Sequence, residues 1–216
     1  MLTRMIEKHP RLIRWTHWLN FALLAIMVWS GVLIYWANDV YRPFFPLWFY
    51  NFFRINHRLA EGMAIHFTFM WPTAVNGTVY FVYLLISGQS REIFPHPRSW
   101  LRLGRDAFRV ALYDLGLAKE LPRQDGIYNA AQKIAYSGIL LMGMGSIASG
   151  LAIYKPIQAY WLTSLLGGYD FARLIHFVLA MGYVLFLIIH VIQVLRAGWR
   201  NLRSMIAGFD LPGEIK

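Results

Sequence analysis

The segment FARLIHFVLAMGYVLFLIIHVIQVL, residues 171–195, is long and apolar enough to cross a lipid bilayer as one α-helix. It contains two histidines, His176 and His190, which are fourteen residues apart. Fourteen helical steps give about 1400° of rotation and about 21 Å of rise, so the two imidazoles lie on nearly one face at different depths. Ionisable side chains are costly in hydrocarbon unless they face a partner or a cavity. The pair therefore indicates a functional site among packed helices.

Three further segments have the same apolar character. Together the predicted membrane spans cover about 15–36, 60–87, 130–154 and 171–195. The connections between them are short, which predicts an all-α fold: an antiparallel four-helix transmembrane bundle that forms a single membrane domain over residues 1–216. No internal repeat is evident in the sequence.

The amino-acid composition limits the cofactors that the chain can bind. The chain is 57% hydrophobic and contains no cysteine. Thiolate-held iron–sulfur clusters, disulfides and c-type haem attachment are therefore excluded, and any metal or haem must be held by histidine, methionine or carboxylate.

Basic residues are distributed unevenly between the two ends of the predicted spans. One side holds the N-terminal arm, the central loop, the start of the third span and the C-terminal tail, and the opposite side has only Arg42, Arg54, Arg58, Lys155 and Arg173. The positive-inside rule then predicts that both termini are cytoplasmic. The net charge of +10 is interpreted as a topology signal with affinity for anionic membrane lipid, rather than as a sign of nucleic-acid binding.

Two segments outside the spans are amphipathic or aromatic. Residues 99–117 interleave apolar side chains with Arg102, Arg105 and Arg109, which predicts an amphipathic helix on the cytoplasmic surface of the membrane. The stretch FFPLWFYNFF, residues 44–53, is predicted to lie along the opposite interface or to form a docking surface.

The depth of each histidine in the membrane determines which two of them can bind the same cofactor. His17 lies near the cytoplasmic start of the first span, at the level of His190 near the cytoplasmic end of the fourth. On the outer side, His66 of the second span lies at the level of His176. Haem iron accepts two axial imidazoles, and two bis-histidine haems fit these two levels.

Several alternatives remain open. His57 lies nine residues before His66, half a turn away in azimuth and beside Arg54 and Arg58, so His66 is the favoured outer ligand and His57 its rival. Each chosen histidine could instead be a core residue bonded to a backbone carbonyl. A zinc site is less favoured because the two pairs are separated, whereas a bare metal ion takes three or four clustered ligands.

Four sequence stretches carry a family resemblance. They are RLIRWTHWLN at 11–20, IHFTFMWPTAVNGTVYFVYLLISGQSREIFP at 65–95, YNAAQKIAY at 128–136 and ARLIHFVLAMGYVLFLIIHV at 172–191. The chain resembles the bacterial di-haem cytochrome b family, which includes membrane subunits of nickel-iron hydrogenases, formate dehydrogenases and thiosulfate reductases. The resemblance is strongest to cytochrome b subunits of the thiosulfate reductase type.

The resemblance implies two haem b groups in a bacterial inner membrane. His17 and His190 would hold the cytoplasmic-side haem, and His66 and His176 the periplasmic-side haem. It also implies electron transfer between the quinone pool and a partner oxidoreductase, for which a periplasmic molybdopterin enzyme is expected by analogy.

Two other functions are kept as alternatives. A stand-alone membrane oxidoreductase could pass electrons from superoxide or another small donor to quinone, and a haem-free transporter could use the histidines in a proton path.

Further residues are weaker candidates for contacts with the cofactors. They are the arginines that could pair with haem propionates (Arg11, Arg14, Arg58, Arg173), Asn20 and Ser30 as hydrogen-bond partners of ligands, and Gln132, Lys133 and Tyr136 for quinone.

Overall fold

The structure is a computed structural model that describes residues 6–7, 10–37, 46–55, 58–94, 99–122 and 128–210. Its helices are α1 (Arg11–Tyr35), α2 (Leu47–Phe52), α3 (Leu59–Ile86), α4 (Ser90–Ile93), α5 (Trp100–Asp114), α6 (Ala130–Tyr154), α7 (Tyr160–Leu165), α8 (Tyr169–Ala197) and α9 (Trp199–Ala207). Two-residue strands, β1 (Ile6–Glu7) and β2 (Phe209–Asp210), pair antiparallel.

Four of these helices, α1, α3, α6 and α8, are long and apolar enough to cross a membrane. The predicted all-α class with four membrane spans is therefore confirmed. The predicted bounds agree with the helices to within a few residues, and those of α6 are identical. In the most apolar stretch of α8, none of the residues is buried by protein. This exposure suits a helix whose apolar side chains contact lipid.

The chain divides into two compact units. The first comprises residues 1–80 and 193–216, and the second residues 81–192. The prediction of a single domain over the whole chain stays a prediction.

In the first unit, α1 and α3 form an antiparallel hairpin. At its α2 end, Gly62 of α3 lies so close to α1 that an added Cβ would be 2.8 Å from Cβ of Leu33. At the other end, the buried Asn76 side chain donates a hydrogen bond of 3.0 Å to the carbonyl of Thr16. Since Gly62 lacks a side chain, the two backbones approach closely, as in other small-residue contacts between membrane helices.

The connection between these helices contains α2, within the segment that the sequence predicts to be interfacial. Tyr50 of α2 is buried together with Leu33 and Ile55. Trp48 and Phe52 on the same short helix are largely exposed. One face of α2 therefore closes the end of the hairpin, while Trp48 and Phe52 point away from it.

The C-terminal segment packs on the start of α1. Arg14 donates a hydrogen bond of 2.6 Å to the carbonyl of Ile206, and Trp18 donates one of 3.3 Å to the carbonyl of Met205. The β1–β2 pairing ties the same two chain segments together. Neither α9 nor the strands were predicted from the sequence.

In the second unit, α6 and α8 form the corresponding antiparallel hairpin. A Cβ added at Gly145 would lie 3.1 Å from the Leu179 side chain, and one added at Gly182 would lie 2.7 Å from Cε of Met142. The short helix α7, also not predicted, is tied to α6 by a 3.1 Å hydrogen bond from Oγ1 of Thr163 to the carbonyl of Ala152.

The predicted amphipathic segment forms α5, which packs against α6. Leu103 and Val110 of α5 are buried, and its polar face carries an ion pair between Arg102 and Asp106. Ser137 of α6 donates a hydrogen bond to the carbonyl of Ile93 at the end of α4. The helix is confirmed, and its location on the membrane surface stays a prediction.

The close contact at Gly62 generates a testable prediction. We expect Gly62→Ala to destabilise the protein by about 1–3 kcal/mol, because the new methyl meets Leu33 and the backbone nitrogen of Ile34 where neither can move away. Thermal unfolding in detergent, followed by circular dichroism, measures the effect.

Gly77→Ala on the same helix is the matched control. An added Cβ at Gly77 meets nothing within 4 Å, so only the gain in helix propensity applies, about 1 kcal/mol. If both substitutions were equally tolerated, the close packing of α1 on α3 would be contradicted.

Candidate functional site

The four predicted histidines all lie on the long helices and are half-buried. His17 on α1 and His66 on α3 belong to the first unit, and His176 and His190 on α8 belong to the second. The cross-unit pairs His17/His190 and His66/His176 therefore stay predictions. His57, the rival of His66, lies outside the described residues, as do His9 and His96.

His66 is held by a serine of the neighbouring helix. Its Nδ1 lies 2.9 Å from Oγ of Ser30, which is completely buried. The same Oγ lies 2.8 Å from the carbonyl oxygen of Ile26, one turn earlier on α1. A hydroxyl has a single proton and a carbonyl can only accept, so Ser30 donates to Ile26 and accepts from Nδ1–H of His66. Nε2 is then the imidazole nitrogen that carries the lone pair.

His176 is held in the same way in the second unit. Its Nδ1 lies 3.0 Å from Oγ of Ser149, again completely buried, and this Oγ lies 2.7 Å from the carbonyl oxygen of Gly145. These contacts favour the tautomer with the proton on Nδ1 and the lone pair on Nε2.

A glycine follows each of these serines and lies beside the imidazole. A Cβ added at Gly31 would be 3.7 Å from Cε1 of His66, and one added at Gly150 would be 3.3 Å from Cε1 of His176. The absence of a side chain at Gly150 therefore lets the His176 ring lie close to α6, whereas a Cβ at Gly31 would make only an ordinary van der Waals contact with the His66 ring.

The other two histidines have aromatic neighbours. The His190 ring stacks on Phe186, one turn earlier on α8, with centroids 5.6 Å apart and an interplanar angle of 7°. The His17 ring meets Trp18 edge to face at 5.4 Å. The stacking on Phe186 restricts the orientation of the His190 ring.

Several arginines that the sequence suggests for haem propionates have protein partners. Arg58 forms two hydrogen bonds to the Glu61 carboxylate, one of them 2.6 Å long, and these raise the pKa of the guanidinium. Arg173 lies 3.8 Å from the Asp170 carboxylate. These contacts hold the side chains at the starts of α3 and α8.

Two of the residues suggested for quinone, Gln132 and Tyr136, have structural roles at the start of α6. The Gln132 side chain accepts a hydrogen bond from the Asn129 backbone, while the Asn129 side chain accepts one from the Gln132 backbone. This reciprocal pair is a capping box, which satisfies two backbone donors at the helix start. Tyr136 packs edge to face against Tyr128, whose pKa is raised by burial and by the nearby charge of Glu92.

Within the described part of the chain, no three histidine or carboxylate side chains come together as a candidate metal site. The structure instead offers single imidazoles on long helices. Haem suits this donor set, because the porphyrin supplies four nitrogens and the protein adds only one or two axial ligands.

Sequence reasoning missed Ser149 and Gly31. A Ser–Gly dipeptide occurs at 30–31 on α1 and at 149–150 on α6, but it also occurs at 137–138 on α6, so it is a weak signal for the site.

The fold and site together define a multi-pass membrane protein with half-buried imidazoles suited to haem. The sequence comparisons agree, since the family model of the prokaryotic cytochrome b561 proteins matches residues 8–208. The chain belongs to this family, which confirms the predicted membership among bacterial membrane cytochromes b. It is therefore a membrane electron-transfer protein of a family that carries haem b.

A curated relative comes from Azospira oryzae and is named "Putative protein-methionine-sulfoxide reductase subunit YedZ1". It is 34% identical to this chain over 203 residues, which is 93% of this chain and 96% of the relative. The similarity therefore extends over essentially the whole of both proteins.

Proposed function

We propose that this chain is a di-haem cytochrome b that carries electrons across the membrane between quinone and a partner oxidoreductase. His17 and His190 hold one haem in this proposal, and His66 and His176 hold the other. When bound, haem b supplies a one-electron carrier whose potential depends on its axial ligands and their surroundings.

The observation that carries the proposal is the hydrogen bonding and tautomer of His66 and His176. Each is fixed through Nδ1 by a buried serine, which leaves Nε2 as the nitrogen with a lone pair. This arrangement is typical of metal-bound histidines, in which the second ring N–H donates to an oxygen of the protein.

The continuity of α8 supports two sites at different depths. The helix runs from Tyr169 to Ala197, so His176 and His190 lie on nearly the same face and about 21 Å apart along its axis. Such a distance is too great for both imidazoles to bind one iron. Two ligands at two depths are what a relay across a bilayer requires.

The proposal includes an orientation in the membrane. An even number of crossings would put both ends of the chain on one side, and the excess of basic residues there supports a cytoplasmic location for that side. The connections that contain α2 and α7 then face the periplasm. A periplasmic partner would dock on that side.

The name of the Azospira oryzae relative suggests the partner's chemistry. We propose that the partner is the catalytic subunit of a protein-methionine-sulfoxide reductase. Reduction of methionine sulfoxide to methionine consumes two electrons and two protons and releases water. A quinol supplies two electrons, which the membrane subunit would deliver one at a time.

Haem quantification tests the ligand set. We expect two haems per purified wild-type chain and one haem in each single variant His17→Ala, His66→Ala, His176→Ala and His190→Ala. Because two ligands share an iron, His17→Ala/His190→Ala should also retain one haem, whereas His17→Ala/His66→Ala should retain none. Pyridine haemochrome spectra and protein determination give the ratio.

His57→Ala is the matched control and should retain two haems. Loss of haem in His57→Ala with full content in His66→Ala would reverse the assignment of the outer ligand. A wild-type ratio of one haem per chain would exclude the di-haem proposal.

Electron delivery tests the partner. The chain is reconstituted in liposomes with menaquinol, and reduction of its haem is followed by visible absorption. We expect rapid reoxidation when a catalytic subunit from the same organism and a protein substrate with oxidised methionine are both added, and none when either is omitted. Quinone reduction by superoxide in the absence of any partner would favour the stand-alone alternative instead.

A further inference from the structure

We propose that Ser30 and Ser149 are equivalent positioning residues in a duplicated helix hairpin, where each holds a haem-ligating imidazole with its proton on Nδ1. This inference rests on the proposed function, because it takes His66 and His176 as axial ligands. It adds a role for two serines, one from each hairpin.

The two serine–histidine contacts occupy the same positions in the two hairpins. Counted from the start of each helix, Ser30 is residue 20 of α1 and Ser149 is residue 20 of α6. His66 is residue 8 of α3 and His176 is residue 8 of α8. Each hairpin also contains a helix of six residues between its two long helices.

Burial repeats in the same register. The order of buried, half-buried and exposed residues is identical over 61–70 and 171–180, which are residues 3–12 of α3 and α8. The position of the imidazole against the neighbouring helix is therefore set by the hairpin geometry in both units.

The apolar contact next to each imidazole has the same position but different residues. Residue 23 of the first helix meets residue 4 of the second: Leu33 with Gly62 in one hairpin, Ala152 with Ala172 in the other. The first hairpin thus pairs a leucine with a glycine, whereas the second pairs two alanines. In contrast, the serine, the glycine after it and the histidine are the same in both.

The remaining two histidines do not follow the repeat. The position of His17, residue 7 of α1, is taken by Tyr136 in α6, and the position of His190, residue 22 of α8, is taken by Tyr80 in α3. The serine contact is therefore confined to the pair His66 and His176. Only the haem that these two bind should respond to the serines.

The hydrogen bond from the imidazole to the serine predicts how each serine affects the haem. An Nδ1–H that donates to an oxygen makes the imidazole a stronger electron donor through Nε2, which stabilises the oxidised iron and fixes the ring. Without the hydroxyl, the ligand becomes less basic and its orientation less restricted. The potential of the haem should then rise, and the haem should be held less tightly.

Ser30→Ala and Ser149→Ala test the proposal, with redox titrations followed by visible spectra. We expect each variant to shift the midpoint potential of one haem, the same haem in both, to a more positive value and to leave the other unchanged. Haem loss to apomyoglobin should be about tenfold faster for the shifted haem, in line with other outer ligand contacts. Ser30→Thr and Ser149→Thr retain the hydroxyl and should keep the wild-type potentials.

Ser137→Ala is the matched control, since Ser137 is a buried serine of α6 that donates to a backbone carbonyl in α4. It should change neither potential. If an alanine variant retains no haem, the isosteric Ser→Cys variant, with its weak S–H hydrogen bonding, takes its place.

Wild-type potentials in both alanine variants would overturn the role of the serines. Equal shifts in the alanine and threonine variants would also overturn it, because packing would then be the cause. If the two serines shift different haems, their positioning role stands and the pairing of His66 with His176 fails. The two proposals can thus fail separately.

Discussion

A neutral imidazole inside the hydrocarbon layer needs an acceptor for its ring N–H, and this requirement organises both hairpins. Water is absent there, so an unsatisfied N–H costs several kcal/mol. The backbone of a helix uses its own carbonyls, which leaves few acceptors for a neighbour. Ser30 and Ser149 solve the problem because each hydroxyl bonds to its own helix and still accepts from the histidine opposite.

This requirement also restricts the residues around each ring. A serine reaches only about one bond beyond its Cβ, so the two helices must approach closely where the histidine lies. At Gly150 the absence of a side chain leaves this space free, because an added Cβ would lie 3.3 Å from Cε1 of His176. Close approach in turn requires small residues nearby, as at Gly62 in one hairpin and at Ala152 and Ala172 in the other.

The sequence predicted the features that depend on composition and on one helix at a time. Hydropathy located α1, α3, α6 and α8, and the helical period alone placed His176 and His190 on one face. Ser149 was missed because its role depends on α8 lying opposite, which no local pattern encodes. The short helices α7 and α9 were missed because six to nine residues give too little periodicity, and their stability comes from tertiary contacts such as Thr163 to Ala152.

The repeat escaped sequence inspection for a related reason. Lipid-facing positions accept any apolar residue, so their side chains can differ between the two hairpins without cost. At packed positions a larger residue on one helix can be balanced by a smaller one on the other, as the pairs Leu33 with Gly62 and Ala152 with Ala172 illustrate. Hydrogen bonds cannot be exchanged in this way, because a donor still needs an acceptor at about 3 Å. The serine and histidine are therefore the residues most restricted in both hairpins. The duplication is therefore seen in the equivalent positions of the two serine–histidine contacts, and not in the identity of the apolar residues.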